Sequence, residues 1–488
     1  MRTKFAVALA VAAFCVTVAW AGWAPEEQIT FSRTGKDLRM NNGRKVVVAS
    51  NGVRHLVWSG GAVYYNRYYP GSGWTADYKV SGSIKSSWLP AIALDPNGTD
   101  IHVVWEGGFD IYYQKCVPGP SGNGGWVGSP INISHRDRST YYRAPSVACY
   151  TDANDVDHVV VAWFTWIGNP NVIGFRECVG GVWGEPLYFE GPSGSYPWQP
   201  SVAVDPQARQ GEVFLSTFAG SSSSVYVRRR INGAWQPWES VEEGGMSFMD
   251  VDASTGCPHI VCDAAAGIYH TYRDPDLGWM PLEMISGAGA LDRGWPSMAF
   301  SNGSAFAVWS ETTSSAGGVR YAIGQYGNWT SPAWLTSRFI QGDINPVSTA
   351  ASPTGDVYTV YMDEAGRYTQ LFGRLYTPGD GGGMAKPMAL VRASVELSPN
   401  PAKAGRVTVR YTLPSPCPLP VGEGKGVRGQ SLKVTLLDVS GREVKTQEVA
   451  AAGQSGAFPI DVSGLRAGVY ILKLEADGRR LTRKLVVE

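Results

Sequence analysis

The chain has 488 residues, with 42 Lys+Arg against 42 Asp+Glu, and only 17% of its residues are charged. Zero net charge and sparse charge exclude a broadly basic nucleic-acid binder and a charge-expanded disordered chain. Hydrophobic residues at 44%, together with 59 Gly, 31 Pro and 18 Trp, point to a large core built from short, aromatic-rich strands broken by turns.

The first predicted element is a secretory leader over residues 1–21. Arg2 and Lys4 precede an apolar run from Phe5 to Val18, and Ala19-Trp20-Ala21 supplies a small-x-small cleavage site after Ala21. The run is shorter than the roughly 20 apolar residues that span a bilayer, and no later stretch is longer. An exported mature chain without a transmembrane segment is expected.

A repeated phrase follows. A Pro-Ser-x-Ala-like run, a Gly/Asn/Asp turn, an apolar run ending in Trp, a Tyr-rich run and a Gly-Trp closing strand recur seven times. The second copy reads LPAIALDPNG, IHVVWE, DIYYQKC, GGWVGSPINIS. Each copy contains four short strand patterns separated by turn residues. A period near 50, marked by Trp58, Trp105 and Trp163, fits β-propeller blades better than solenoid repeats. The seventh copy stops near Tyr376 without its Gly-Trp strand, whereas residues 22–30 read GWAPEEQIT. An open ring would leave strand edges unpaired. The expected fold is therefore all-β: a seven-bladed β-propeller over residues 22–377, closed by the N-terminal strand.

Beyond the leader, six cysteines are too few for a disulfide framework. Cys116 and Cys178 occupy equivalent places in neighbouring copies, where splayed blades hold Cα atoms beyond the roughly 7 Å disulfide limit. Cys257 and Cys262 lie near His259 and His270, but their spacing on a strand turns the two thiols to opposite sides. Buried free thiols are the better reading, and no metal or cofactor is expected. The Asp95 to Gly98 and Asp252 to Gly256 turns read as hairpins rather than Ca²⁺ loops.

Candidate binding residues come from one rim of the expected ring, where second strands end and first strands begin. Second strands bring Glu106, Asp263, Glu311 and Asp363 there; first strands bring Trp88, Tyr142 with Arg143, Trp198 and Trp295. Aromatic faces and carboxylates together suit sugars. The repeated aromatic-x-Pro could equally wedge neighbouring blades apart, which is the favoured reading. Trp58, Trp105, Trp163 and Trp309 are interior packing positions.

After a Gly-rich linker over residues 378–393, alternating strands read SPNP, VTVRYTL, LLDVSGREV, DVSGLRAGVYILKLEADG and RKLVV, enough for a small immunoglobulin-like β-sandwich over residues 394–488. Their order and spacing resemble the C-terminal sorting domain of type IX secretion cargo, interrupted at Pro414 to Gln430 by an insertion at a loop tip. That resemblance implies passage across an outer membrane, a secretion machinery as partner, and release or attachment at the cell surface. The repeats resemble sialidase-type propellers in architecture, but no Asp-box keeps its Trp and no arginine triad or Tyr–Glu pair can be placed. Neither a nucleophile elbow nor a phosphate-binding loop is present. The expected function is binding, of glycans or surface proteins. A carbohydrate-active hydrolase or lyase is the alternative, and a structural envelope or matrix role the third.

Overall fold

In the computed structural model, every regular element among the described residues is a β-strand apart from an isolated helical turn. The description covers residues 22–378 and 394–487, except 32–36, 119–124, 135–140, 168–171, 193–194, 206–211, 221–222, 265–266, 288–291, 314–316, 337–345, 366–367, 399, 403–404, 413–430, 439–441, 451–454 and 477–478. The expected leader, most of the linker and the insertion at 414–430 lie outside it. The chain divides into two compact units, Met1–Gly383 and Met384–Glu488.

The first unit holds seven antiparallel sheets among its described residues, and none closes on itself. The second sheet is the simplest, running Ser87–Leu94, Ile101–Gly107, Asp110–Val117 and Gly125–Asn132 in spatial order. In the others the outer strand splits in two, as at Val182–Trp183 and Leu187–Glu190, where Pro186 interrupts the ladder. The seventh sheet takes its outer strand from the start of the chain. Gly22 pairs with Thr377 and Trp23 with Tyr376, then Glu27 with Gly373 and Gln28 with Phe372.

That segment is treated by its sheet as the other outer strands are by theirs. A polar side chain on the third strand donates to the carbonyl one or two residues past the tryptophan: Gln114 to Gly128, Arg176 to Gly184, Arg228 to Gln236 and Thr271 to Met280. In the seventh sheet Arg374 Nε donates to Ala24 at 2.8 Å. Each outer-strand tryptophan also packs on the preceding sheet, as Trp126 does on Tyr65, Trp183 on Tyr113 and Trp23 on Tyr321.

Successive sheets share apolar clusters. Val57 and Tyr65 meet Ile92 and Trp105 between the first and second sheets, and Val308 meets Tyr361 and Phe372 between the sixth and seventh. One further cluster joins Leu56 and Trp58 of the first sheet to Tyr358, Val360 and Leu371 of the seventh. Glu27 spans the same junction, accepting from Tyr358 at 2.6 Å while paired with Arg54 at 2.8 Å.

The Pro-Ser-x-Ala phrase has a definite task. Its serine hydroxyl accepts a backbone N–H from the first strand of the next sheet: Ser146 from Val202, Ser201 from Met249 and Ser297 from Thr349. Ser348 of the seventh sheet accepts from Lys45, beside the first strand of the first sheet, at 2.9 Å.

The second unit pairs a three-stranded sheet (Ser394–Ser398, Arg406–Thr412, Ser455–Asp461) with a four-stranded one (Glu443–Ala450, Ser431–Asp438, Gly468–Ala476, Arg479–Val487). Period-two alternation turns Val407 and Val409, Leu432, Val434 and Leu436, and Leu472 and Leu474 into one core.

Candidate functional site

The rim candidates are placed by a repeated backbone irregularity. Leu89, Ala144, Gln199 and Trp295, each just before a proline, adopt φ of 51°, 44°, 45° and 52°. The ladder slips at each site, between Trp88 and Ala91, Arg143 and Ser146, Trp198 and Ser201, and Gly294 and Ser297. A left-handed non-glycine residue costs roughly 1–3 kcal/mol, so its recurrence marks a feature with a purpose.

The second and third sheets bring several candidates together. Trp88 lies opposite Glu106 in the ladder and is 38% exposed, while the Glu106 side chain is buried. Arg143, from the next sheet, reaches Glu106 with Nε 3.1 Å from Oε2. Burial pushes the Glu106 carboxyl up, and the Arg143 guanidinium offsets part of that shift. Phe109, at the hairpin beyond Glu106, is 46% exposed and meets Tyr141 edge-on at 4.2 Å. The same pair of strands thus carries two exposed aromatics, Trp88 and Phe109, and a partly desolvated ion pair. Phe109 and Tyr141 were not singled out from the sequence, because neither sits in the repeated phrase.

The remaining candidates are placed otherwise. Tyr142 is buried between Trp163 and Tyr188. Trp198 packs on Phe164 at 5.3 Å, in a cluster with Leu89, Ala144 and Met40. Trp295 is half-buried at its strained position. Glu311 is buried, accepts from Arg293 Nε at 3.2 Å and the Trp309 indole at 3.0 Å, and forms an ion pair with Arg320, whose Nε lies 3.1 Å from Oε1. Asp363 is buried opposite Gln370. Asp263 is half-buried, its backbone bonded to Gly245 and Met246. Glu106 and Glu311 are thus held by different arginines in different sheets.

Residues 38–45, unremarked in the repeat, are hydrogen-bonded to many parts of the unit. Asn41 donates to the Pro296 carbonyl at 2.7 Å, and Asn42 to those of Ala144 at 2.7 Å and Pro200 at 2.9 Å. Arg44 donates to Met298 and Thr349 and pairs with Asp250 at 2.5 Å. Lys45 Nζ donates to Pro90 at 2.6 Å, and the Arg44 carbonyl accepts from Ile92 N. The segment therefore touches the first strand of each of the other six sheets. Three of its acceptors, Ala144, Pro200 and Pro296, are carbonyls of the repeated bulge, as is Pro90. Gly43 is required by close approach: a Cβ there would lie 2.6 Å from Ala91 Cβ and 3.1 Å from Pro145 O.

Cys257 and Cys262 are buried free thiols, as are Cys116, Cys149 and Cys178. His259 and His270 bond to each other at 3.0 Å, and His270 to Glu283 at 3.1 Å. No group of three or more His, Cys, Asp or Glu that could hold a metal converges among the described residues.

Residues 396–488 match the family described as the secretion system C-terminal sorting domain. The C-terminal unit carries such a domain, so the chain is cargo for type IX export that engages that machinery and is secreted or attached at the cell surface. No helix among the described residues is long and apolar enough to cross a membrane. No curated protein matches the chain. Similar solved structures include a protein of unknown function from Dyadobacter fermentans DSM 18053 (13% identity, TM-score 0.44, 73% of this chain and 99% of that one). Others are a mutant of AofleA from Arthrobotrys oligospora (11%, 0.43, 65% and 91%) and the Dos1 propeller (9%, 0.43, 69% and 79%). With every TM-score below 0.5, these likenesses carry no argument about the site.

Proposed function

We propose that the first unit is a seven-bladed β-propeller spanning residues 22–377, closed by its N-terminal strand, and that it binds glycans or surface proteins at the rim carrying Trp88. Residues 378–393 would tether it to the sorting sandwich at 394–488. Closure is supported by the pairing of Gly22 and Trp23 with the seventh sheet, by the apolar cluster between the seventh and first sheets, and by one segment reaching six first strands. Six strands converge on a single short segment most simply by standing around it.

The observation that carries the binding reading is that two aromatics, Trp88 opposite Glu106 in the ladder and Phe109 at the hairpin beyond it, are exposed while Glu106 is paired with Arg143. Aromatic faces stack on the apolar face of a sugar ring or receive a protein's apolar side chains, while the ion pair reads polar groups nearby. A hydrolase is less well supported. Glu311 has both oxygens engaged by arginines, and Glu106 is held by Arg143, whereas glycoside cleavage needs two carboxyl groups roughly 5–9.5 Å apart that are able to exchange protons or attack.

The test is a glycan array and a chromogenic glycoside panel on the first unit together with its tail. The expected result is binding without turnover, weakened tenfold or more by Trp88→Ala and by Arg143→Ala, since tenfold corresponds to about 1.4 kcal/mol. Turnover abolished by Glu106→Gln would reverse the reading.

A further inference from the structure

The tight hairpin between Ile101–Gly107 and Asp110–Val117 carries a residue that the turn itself disfavours. Gly107 pairs with Asp110, so Gly108 and Phe109 are the two central residues, and both are left-handed, with φ of 57° and 75°. Such a turn favours Gly, Asn or Asp, and a bulky residue at positive φ is an outlier. The corresponding hairpin of the first sheet, Gly60-Gly61-Ala62, turns without an aromatic. What the fold takes from residue 109 is a backbone carbonyl, which accepts from Tyr142 N at 3.0 Å and which any residue would supply. The ring, edge-on to Tyr141, stays 46% exposed. A strained turn that keeps a solvent-facing aromatic points to a ligand for that ring.

The surroundings of the ring indicate the ligand's chemistry. Ile84 lies over Gly107, where an added Cβ would stand 2.7 Å from its Cγ2, and Trp88 is exposed opposite Glu106. Polar side chains beside the hairpin are engaged within the fold. Glu106 accepts from Arg143 at 3.1 Å, Asp110 accepts from Ser134 at 3.1 Å, and Ser87 donates to the Ile84 carbonyl at 3.0 Å. A sugar ring is held by several polar groups converging on its hydroxyls, whereas an apolar side chain requires none. One charge remains uncompensated. Gly108 N donates to Ser86 O at 3.3 Å, which sets residues 83–86 against the turn, and the exposed Lys85 there pairs with no carboxylate among the described residues. We infer that Phe109 is the recognition residue of this rim, and that its partner is a polypeptide presenting an apolar side chain flanked by carboxylates. The apolar group packs on Phe109 and a carboxylate faces Lys85. The inference rests on the rim reading above and narrows it from glycans or proteins to a protein.

The experiment uses the full chain. The probe is an array of immobilised decapeptides in which one Phe or Leu sits between glutamates, with lysine-flanked forms and forms carrying Gln in place of the apolar residue alongside; a glycan array is run in parallel. Saturable binding to the glutamate-flanked apolar peptides is the expected result. Phe109→Asn should weaken it tenfold or more while raising the melting temperature by roughly 2 °C, since Asn tolerates the left-handed turn. Lys85→Glu should move the preference to the lysine-flanked peptides. Peptide binding unchanged by Phe109→Asn, a preference unmoved by Lys85→Glu, or a Phe109→Asn chain that melts lower than the native one overturns the inference. Glycan binding without peptide binding overturns it and leaves the rim reading standing; binding to neither array overturns both.

Discussion

At the residue scale, titratable groups inside the first unit are committed to the fold. His55 and His102 occupy the same place on the second strands of the first two sheets, and their Nδ1 atoms bond to Tyr65 and Tyr113 at 2.6 and 2.9 Å. Burial holds them neutral, pushing their pKa values down to about 3 and about 4. A depressed histidine favours folding fully above its unfolded value near 6.5, and that contribution is lost as pH falls through the folded value. Resistance to urea unfolding is therefore expected to fall below pH 6.5 and on toward pH 4, at roughly 1.4 kcal/mol per pH unit for each histidine. His102→Gln, which keeps a polar partner for Tyr113, should reduce that slope, and an unaltered slope would remove His102 from the explanation. Glu311 makes a second case. Glu311→Gln would leave Arg293 and Arg320 facing each other without their buried countercharge, at a cost of about 3 kcal/mol in unfolding free energy. Glu106 and Glu311 were visible in the sequence as acidic positions on one rim. Their pairing with arginines was not, because Arg143 and Arg293 reach these carboxylates only through strand register and sheet packing.

At the element scale, the repeated phrase was legible as a unit of four strands, yet the chemistry inside it was not. Proline, serine and alanine recur because the bulge needs a residue without a donor, the next sheet needs an acceptor and the core needs a small side chain. None of these needs is local. Ser146, Ser201, Ser297 and Ser348 are all buried and each satisfies one N–H of the following strand. Replacing any one by alanine strands a buried donor and should cost about 1–2 kcal/mol by chemical denaturation. Ser146→Ala and Ser348→Ala act at separate junctions, so their double mutant should add within about 0.5 kcal/mol. Trp163 illustrates a packing need read correctly as interior but incompletely: its indole lies where a Cβ on Gly174 would intrude at 2.2 Å, so Gly174→Ala should lower stability through overpacking.

At the scale of the whole molecule, the sequence signal for the tail was the most specific, since a run of motifs in fixed order survives as a family match over residues 396–488. The all-β class and the seven-fold repetition were equally readable, because turn residues and period-two strands are local properties. Residues 38–45 escaped notice for the opposite reason. Asn-Asn-Gly between charged residues resembles any exposed turn, and only convergence of six strands gives it partners. The junction between the ends of the first unit depends on long-range pairing, with Trp23 set between Tyr321 and Tyr376. Removing residues 22–30 is expected to expose the edge of Tyr368–Thr377 and to raise aggregation over that of the intact chain, measured by light scattering.

Amide hydrogen exchange on residues 22–30 tests the proposed closure most directly. Ala24 N–H donates to Leu375 and Ile29 N–H to Leu371, at 2.7 and 2.8 Å. Protection of these amides comparable to that of Val357–Ala365 is the expected result, whereas exchange at the rate of an unstructured peptide would contradict a propeller shut by its own N-terminal strand.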